Sequence, residues 1–353
     1  MTSLEKTIGI FGGGQLGMML VEAAESLGFK TNIYCPDHSS PAFKYSTYQT
    51  IAEYNDKQNL SRFIKNVDFI TVEFENIPSD TIDILAKTGK LSPPHDAIKI
   101  SQDRLMEKDF FRNNNIITNE YMNITSLSDL EKWDYNKKSV IKTRQLGYDG
   151  KGQRTINSLK EAEIAFYEFG RNPCIMEEFV EFTSEISTIS VRDTYSNIHI
   201  YPPTENIHKN HILETSSVPA SISPRIADNL VDISTKMISK LNYVGVLAIE
   251  FFILKDNTIL VNEIAPRVHN SGHWTLDGSE VSQFEQHIRA ISGLHILTPK
   301  LIYKTKMLNL IGEDIDIWEN KSNSKNEKVY IYGKTETKKG RKMGHVNFLE
   351  KLK

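Results

Sequence analysis

Glu250 and Glu263 stand on two apolar runs, residues 244–254 and 259–265, joined by Lys255-Asp256-Asn257-Thr258, a connection with hairpin-turn chemistry. If Asp256-Asn257 centres a symmetric hairpin, residue i pairs with residue 513 − i, and Glu250 lies opposite Glu263. Opposed side chains have Cβ atoms about 4.5–5.5 Å apart, and like charges there destabilise a sheet unless something positive lies between them. A hard cation such as Mg²⁺ meets that need, because it takes oxygen ligands, typically one or two carboxylates together with substrate phosphates. The residues alone equally allow a proton shared between the carboxyls, or two surface glutamates in another register.

Directly after the second run, Pro266-Arg267-Val268-His269-Asn270-Ser271-Gly272-His273-Trp274-Thr275 gathers an arginine, two histidines, an asparagine and two hydroxyls. Such density beside a metal suggests anion and substrate contacts. His269 and His273 are four apart, a zinc-ligand spacing on a helix, but Gly272 and Pro266 argue against a helix there. Two glycine-rich loops add phosphate chemistry. Gly12-Gly13-Gly14-Gln15-Leu16-Gly17 closes a strand and opens a helix, so its N–H groups can approach an anion. Asp37 follows where a dinucleotide fold places its ribose-binding acid, which keeps a nicotinamide oxidoreductase in competition, as does a glycine turn needed only for packing. Gly147-Tyr148-Asp149-Gly150-Lys151-Gly152-Gln153 follows the strand Ser139-Val140-Ile141-Lys142, and its amides can cover phosphates while Lys142 and Lys151 balance charge. An ordinary hairpin loop is the alternative.

Around these groups, the first hundred residues alternate strands (7–11, 31–35, 68–74) with helices (16–27, 60–66), the pattern of a parallel, doubly wound domain. Leu91-Ser92-Pro93-Pro94-His95 reads as a boundary. Beyond it, 102–111 is a helix carrying Arg104 and Lys108 at i, i+4, and Pro173-Cys174-Ile175-Met176-Glu177-Glu178-Phe179-Val180 is a strand leaving into acidic residues, with Glu185 nearby. The helix 282–291 carries Glu285 and Arg289 as a solvated i, i+4 pair. Net charge is −3 from 42 basic and 45 acidic residues, so no bulk basic field argues for nucleic acid. No apolar run approaches the roughly 18 residues of a membrane span, and the N-terminus carries no secretory pattern, so neither nucleic acid nor membrane is an expected partner and the cytoplasm is the expected location. Cys35 and Cys174 lack metal-ligand spacing and read as reduced packing residues.

The glycine motif at 12–17, Gln102-Asp103-Arg104, the loop 147–153, Tyr201-Pro202 with Asn206 and His208, and above all the tract from Asn262 to Thr275 make the chain resemble the 5-(carboxyamino)imidazole ribonucleotide synthases, ATP-grasp ligases of purine biosynthesis. The resemblance implies α/β and α+β architecture in three parts: an N-terminal doubly wound domain (1–100), an ATP-grasp domain (101–297, split near 173–180) and a small β-rich C-terminal domain (298–353). It implies ATP, Mg²⁺ (with Mn²⁺ as a substitute), bicarbonate and 5-aminoimidazole ribonucleotide as ligands, and a homodimer. Arg104, Lys142, Gly147, Tyr148, Asp149, Gly150, Lys151, Gly152, Gln153, Glu177, Glu178, Phe179, Val180, Glu185, His208, Asn262 and Glu263 would contact ATP, and Glu250 and Glu263 the metal. Arg267 and Lys142 would be catalytic, Arg267 holding bicarbonate or carboxyphosphate. The ribonucleotide site would comprise Gly14, Gln15, Leu16, Glu75, Asn76, Tyr148, Asp149, Arg267, Asn270, Ser271, His273, Lys334 and Arg341. Other carboxylate-amine ligases of the same superfamily are the nearest alternative.

Two positions and the chain's end depart from the family pattern. Met18 replaces a common basic residue after Gly17, and Leu146 stands where relatives carry the first glycine of the phosphate loop. Because Gly147, Gly150 and Gly152 remain to supply unusual backbone angles, an ordinary extended conformation is expected at Leu146. The chain stops at Lys353, soon after Gly340-Arg341-Lys342-Met343-Gly344-His345, so a shortened C-terminal domain is expected.

Overall fold

The computed structural model describes residues 6–147 and 152–352. Its N-terminal layer runs β1 (Thr7–Phe11), α1 (Gln15–Ser26), β2 (Lys30–Tyr34), β3 (Tyr48–Thr50), α2 (Lys57–Lys65), β4 (Phe69–Val72), α3 (Ser79–Ala86) and α4 (His95–Gln102). All four strands are parallel in the order β3-β2-β1-β4. β1 is buried along its whole length, which is why it reads as one apolar run instead of an alternation. Strand order reverses between β1 and β4, so the loops at 12–17 and 73–76 flank the crevice where open parallel sheets bind ligands.

α5 (Arg104–Asn113) then leads into a small antiparallel sheet formed by β5 (Tyr121–Ile124), β6 (Ser139–Thr143), β7 (Gln153–Ile156) and β8 (Cys174–Glu178), in the order β5-β8-β6-β7. It packs on α6 (Leu127–Leu130) and α7 (Leu159–Glu168) through Ile124, Ile141, Ile156, Phe166 and Met176. The chain next builds β9 (Ser184–Arg192), β10 (Ile198–Ile200), β11 (Thr204–Lys209), β12 (Ile212–Val218), α8 (Pro224–Lys240), β13 (Gly245–Ile253), β14 (Ile259–Ala265), α9 (Thr275–Gly278) and α10 (Gln283–Ser292). β15 (Tyr303–Ile311), α11 (Ile315–Trp318), β16 (Glu327–Ile331) and β17 (Lys342–Lys351) complete it. These last strands join the larger sheet, whose order is β14-β13-β9-β11-β12-β15-β17-β16 with β10 also on β9. Pairing of β15 with β12 satisfies an edge that would otherwise present unpaired N–H and C=O groups. Both cysteines are buried and free.

The β13–β14 hairpin places Glu250 directly opposite Glu263, by a different route from a symmetric turn. Near the turn the pairs are Ile253 with Ile259 and Phe251 with Val261, a register one residue shorter than expected, with Asn257 in the left-handed region at φ 67°. An irregularity at Asn262 then inserts the missing residue and restores the glutamate pair.

His287 on α10 pins the layers together. Its Nε2 lies 2.7 Å from Thr71 Oγ1 on β4, and its Nδ1 accepts the Val246 N–H at 3.0 Å. An Nδ1 that accepts leaves the proton on Nε2. Burial holds the ring down to about 3, from an ordinary 6.5. Below about pH 6.5 the unfolded chain therefore binds a proton that the folded ring refuses, so this stability is complete above pH 6.5 and is lost progressively as pH falls toward 3. Between pH 6.5 and 5 the loss amounts to about 2 kcal/mol. The thermal midpoint should fall over that interval by several degrees more in the wild type than in His287→Gln, and parallel curves would refute the assignment.

Candidate active site

Gln102-Asp103-Arg104 is a positioning device. Gln102 Nε2 donates to the Glu75 and Ile77 carbonyls at 2.6 and 2.8 Å, tying the end of α4 to the exit of β4. Asp103 caps α5 by accepting from the Leu105 and Met106 N–H groups, and its carboxylate also takes a forked contact from Arg144. Arg104, first residue of the helix, thereby reaches Glu263 at 3.4 Å and the Gly147 carbonyl at 3.2 Å.

One cavity of about 1330 Å³ receives these elements. That exceeds the roughly 300–1,000 Å³ of a single-ligand pocket and has room for two substrates. Gly14, Gln15, Leu16, Glu75, Asn76, Arg104, Lys142, Gly147, Gln153, Glu177, Glu178, Phe179, Val180, Glu185, His208, Glu250, Asn262, Glu263, Arg267 and Asn270 all line it. Burial and the facing Glu263 push Glu250 up to about 7. The donor set of two opposed carboxylates, one of them reluctant to ionise unless a cation joins it, fits a hard divalent metal that borrows further oxygens from a bound phosphate.

Glu177 turns inward. Its carboxylate meets Lys142 at 3.0 Å and Lys108 at 3.8 Å, and Asn119 Nδ2 donates to it at 3.0 Å. Burial would raise this acid, but the two ammonium groups outweigh it and hold the carboxyl well below its usual range. Glu177 thus orients Lys142 toward the cavity. Glu185 and His208 grip each other at 2.5 Å; burial opposes the imidazolium, yet this bond keeps the ring above its ordinary value. Arg267 gives Nε and Nη2 to the Glu75 carboxylate at 2.6 and 3.4 Å and Nη1 to the Val268 carbonyl.

Other expected residues lie elsewhere. Ser271 and His273 are fully buried and lie off the cavity wall. Ser271 Oγ bonds Ser187 and His269, while the His273 ring packs against His345 and Phe284. Gly152 (φ 69°), Lys334 and Arg341 are also outside the lining, although Lys342 reaches it. Lys334 donates to the Lys342 carbonyl and Arg341 to that of Glu336. Tyr148, Asp149, Gly150 and Lys151 lie outside the described residues. Met18 is a core residue of α1. Residues 270–272 form one 3₁₀ turn, so His269 and His273 do not share a helical face as zinc ligands would.

Leu146 is not extended. Its φ is 63° and its side chain is 72% exposed at the cavity's edge. A leucine in the left-handed region costs about 1–2 kcal/mol, and so exposed a side chain gains little burial in return. Leu146→Gly should lower the apparent Michaelis constant for ATP, by up to about tenfold. Steady-state kinetics at varied ATP decide it, an unchanged constant meaning that the strain does not oppose binding.

Other cavity residues carried little sequence signal. Phe182 and Phe252 stack at 4.6 Å and 10°, an apolar wall suited to a planar base, but they come from separate stretches of chain. Lys108, buried behind Glu177 and off the cavity wall, showed only as half of an i, i+4 pair. Glu107 is buried, accepts the Ile264 N–H at 2.7 Å, and is raised to about 8 by burial and by Glu263. Glu73 accepts N–H groups from the first glycine loop.

Comparison with known proteins agrees with this arrangement along the chain. Residues 5–102 match the ribonucleotide synthetase preATP-grasp domain, 109–284 the ATP-grasp domain, and 305–353 the phosphoribosylaminoimidazole carboxylase C-terminal domain. The N5-carboxyaminoimidazole ribonucleotide synthase of Brucella melitensis is 44% identical, covering 98% of this chain and 97% of the relative. The Staphylococcus aureus N5-carboxyaminoimidazole synthetase, solved with ADP, is 34% identical with a TM-score of 0.92, covering 99% and 95%. The Aspergillus clavatus enzyme, solved with ADP and 5-aminoimidazole ribonucleotide, is 27% identical with a TM-score of 0.91, covering 100% and 95%. The glycine loop that kept a nicotinamide oxidoreductase in competition is closed by Glu73. The three-part α/β and α+β fold, the shared cavity and full-length similarity together establish that this chain belongs to the N5-carboxyaminoimidazole ribonucleotide synthase family of ATP-grasp ligases.

Proposed function

We propose that this chain uses ATP to activate bicarbonate as carboxyphosphate and passes the carboxyl group to the exocyclic amine of 5-aminoimidazole ribonucleotide. The products are 5-(carboxyamino)imidazole ribonucleotide, ADP and phosphate, within purine biosynthesis. The observation that carries this reading is one shared cavity lined by two groups, Lys142 and Arg104 with the glutamate hairpin, and Glu75, Asn76, Gln15 and Arg267. The first suits a nucleotide and the second a smaller substrate.

In this reading the Phe182–Phe252 wall and the strand exit Glu178-Phe179-Val180 hold the base, while Glu185 and His208 face the ribose. Lys142, held by Glu177, and Arg104, held by the Asp103 cap, place positive charge along the phosphates. Glu250 and Glu263 would hold Mg²⁺, or Mn²⁺ in its place, which when bound neutralises charge on the transferring phosphoryl oxygens. Arg267 offers a planar guanidinium to bicarbonate and then to carboxyphosphate, with Glu75 fixing its plane. Enclosing both substrates in one cavity lets a short-lived carboxyl donor meet the amine before water does. We further infer a cytoplasmic homodimer, which light scattering of the purified chain would test. Among the described residues no helix is long and apolar enough to cross a membrane.

The deciding assay measures ADP release with ATP, Mg²⁺ and bicarbonate, with and without 5-aminoimidazole ribonucleotide. Stimulation by the ribonucleotide together with bicarbonate supports the reading. Stimulation by another acid and amine would move the chain to a different ligase activity.

A further inference from the structure

A glycine-rich turn at the start of a helix is ordinarily a seat for a ligand's phosphate, because its N–H groups and the helix dipole both favour an anion. Here that seat is filled from within. Glu73, the first residue beyond β4, accepts the Gly14 N–H on Oε1 at 2.5 Å and the Gly17 N–H on Oε2 at 2.6 Å, and only 9% of it is exposed. The same side chain accounts for two of the glycines: a Cβ at Gly12 would collide with Glu73 Cγ, and one at Gly14 would lie 2.9 Å from Oε1. The carboxylate is held under the loop because the Glu73 N–H is bonded to the Phe11 carbonyl, in line with the β1–β4 ladder.

We propose that Glu73 is a resident anion for the glycine loop: it positions Gly14, Gln15 and Leu16 as a wall of the ribonucleotide end of the cavity and excludes phosphate from the N-terminus of α1. The ribonucleotide then meets the loop's outer surface, and its phosphate is neutralised elsewhere. This rests on the reading above only for the identity of the substrate. Glu75, two residues on, points to Arg267, so β4 delivers one carboxylate to the loop and one to the guanidinium.

The test uses the full chain. Glu73→Gln places an NH₂ group against one loop N–H, so the Michaelis constant for the ribonucleotide should rise about tenfold while that for ATP stays within about twofold. Glu73→Ala should show a similar rise and be rescued by added formate, which enters the vacated seat; Glu73→Gln, whose seat is full, should gain nothing. Formate and inorganic phosphate should also raise the thermal midpoint of Glu73→Ala and not that of the wild type. Should the variants fail to fold, amide exchange in ¹⁵N-glycine-labelled wild type still decides: Gly14 and Gly17 should be protected before ligand is added. Rapid exchange that slows only with the ribonucleotide, or phosphate stabilising the wild type through these amides, would overturn the proposal. A wild type inactive on the ribonucleotide would refute the substrate reading alone, leaving the formate and exchange results to judge Glu73.

Discussion

Glu263→Gln should lower turnover by about 10²-fold or more at saturating ATP, because a carboxylate that balances charge on a transferring phosphoryl group matters most in the transition state. The structure adds a control. Glu263 also meets Arg104 at 3.4 Å, so its loss frees a guanidinium as well as removing a cation ligand. The two consequences separate in a Mg²⁺ titration. Loss of a metal ligand should raise the Mg²⁺ concentration needed for half-maximal rate along with the drop in turnover, whereas displacement of Arg104 alone leaves that concentration unchanged. Near-normal turnover at saturating Mg²⁺ would remove the glutamate pair from the mechanism.

Arg267→Lys is expected to abolish most carbamate formation while ATP-analogue binding survives. Lysine keeps the charge, but it cannot hold Glu75 through two nitrogens and present a planar face to an oxyanion as well. The loss should be about 10²-fold or more in product formation, since the group acts on charge that develops during transfer. Measuring analogue affinity and product in the same preparation checks it. If both fall together, the Arg267–Glu75 pair supports the fold of the nucleotide end, and the bicarbonate role passes to another residue.

Local patterns and pairwise spacings were readable from the residues. Apolar runs located β1, β6, β13 and β14 to within a residue or two, because a buried strand leaves a short apolar run bounded by turn residues. The opposition of Glu250 and Glu263 was also legible, although the symmetric turn used to reach it was wrong. The shorter turn and the irregularity at Asn262 cancel, and a bulge is set by the neighbouring chain more than by its own residues. The dense tract after Glu263 does reach the cavity, through Arg267, His269 and Asn270. It did not reveal which side chains face the cavity, since Ser271 and His273 are turned inward by the 3₁₀ turn at 270–272.

What only the tertiary structure decided were matters of partnership between distant segments. Nothing near Gly12 discloses that its loop is closed by a carboxylate some sixty residues away, so the motif read as an empty anion seat. Lys108 and Lys142 lie on different elements and become one charged unit only when β8 brings Glu177 between them. Leu146 takes a positive φ despite the glycines after it, because the chain must turn where β6 ends. The sequence by itself determined the kinds of groups available, the order of strands and helices that carry them, and the family. The tertiary structure determined which acids were already spent on internal donors and which were left to meet a ligand, because a hydrogen bond across the fold depends on packing that no local window contains.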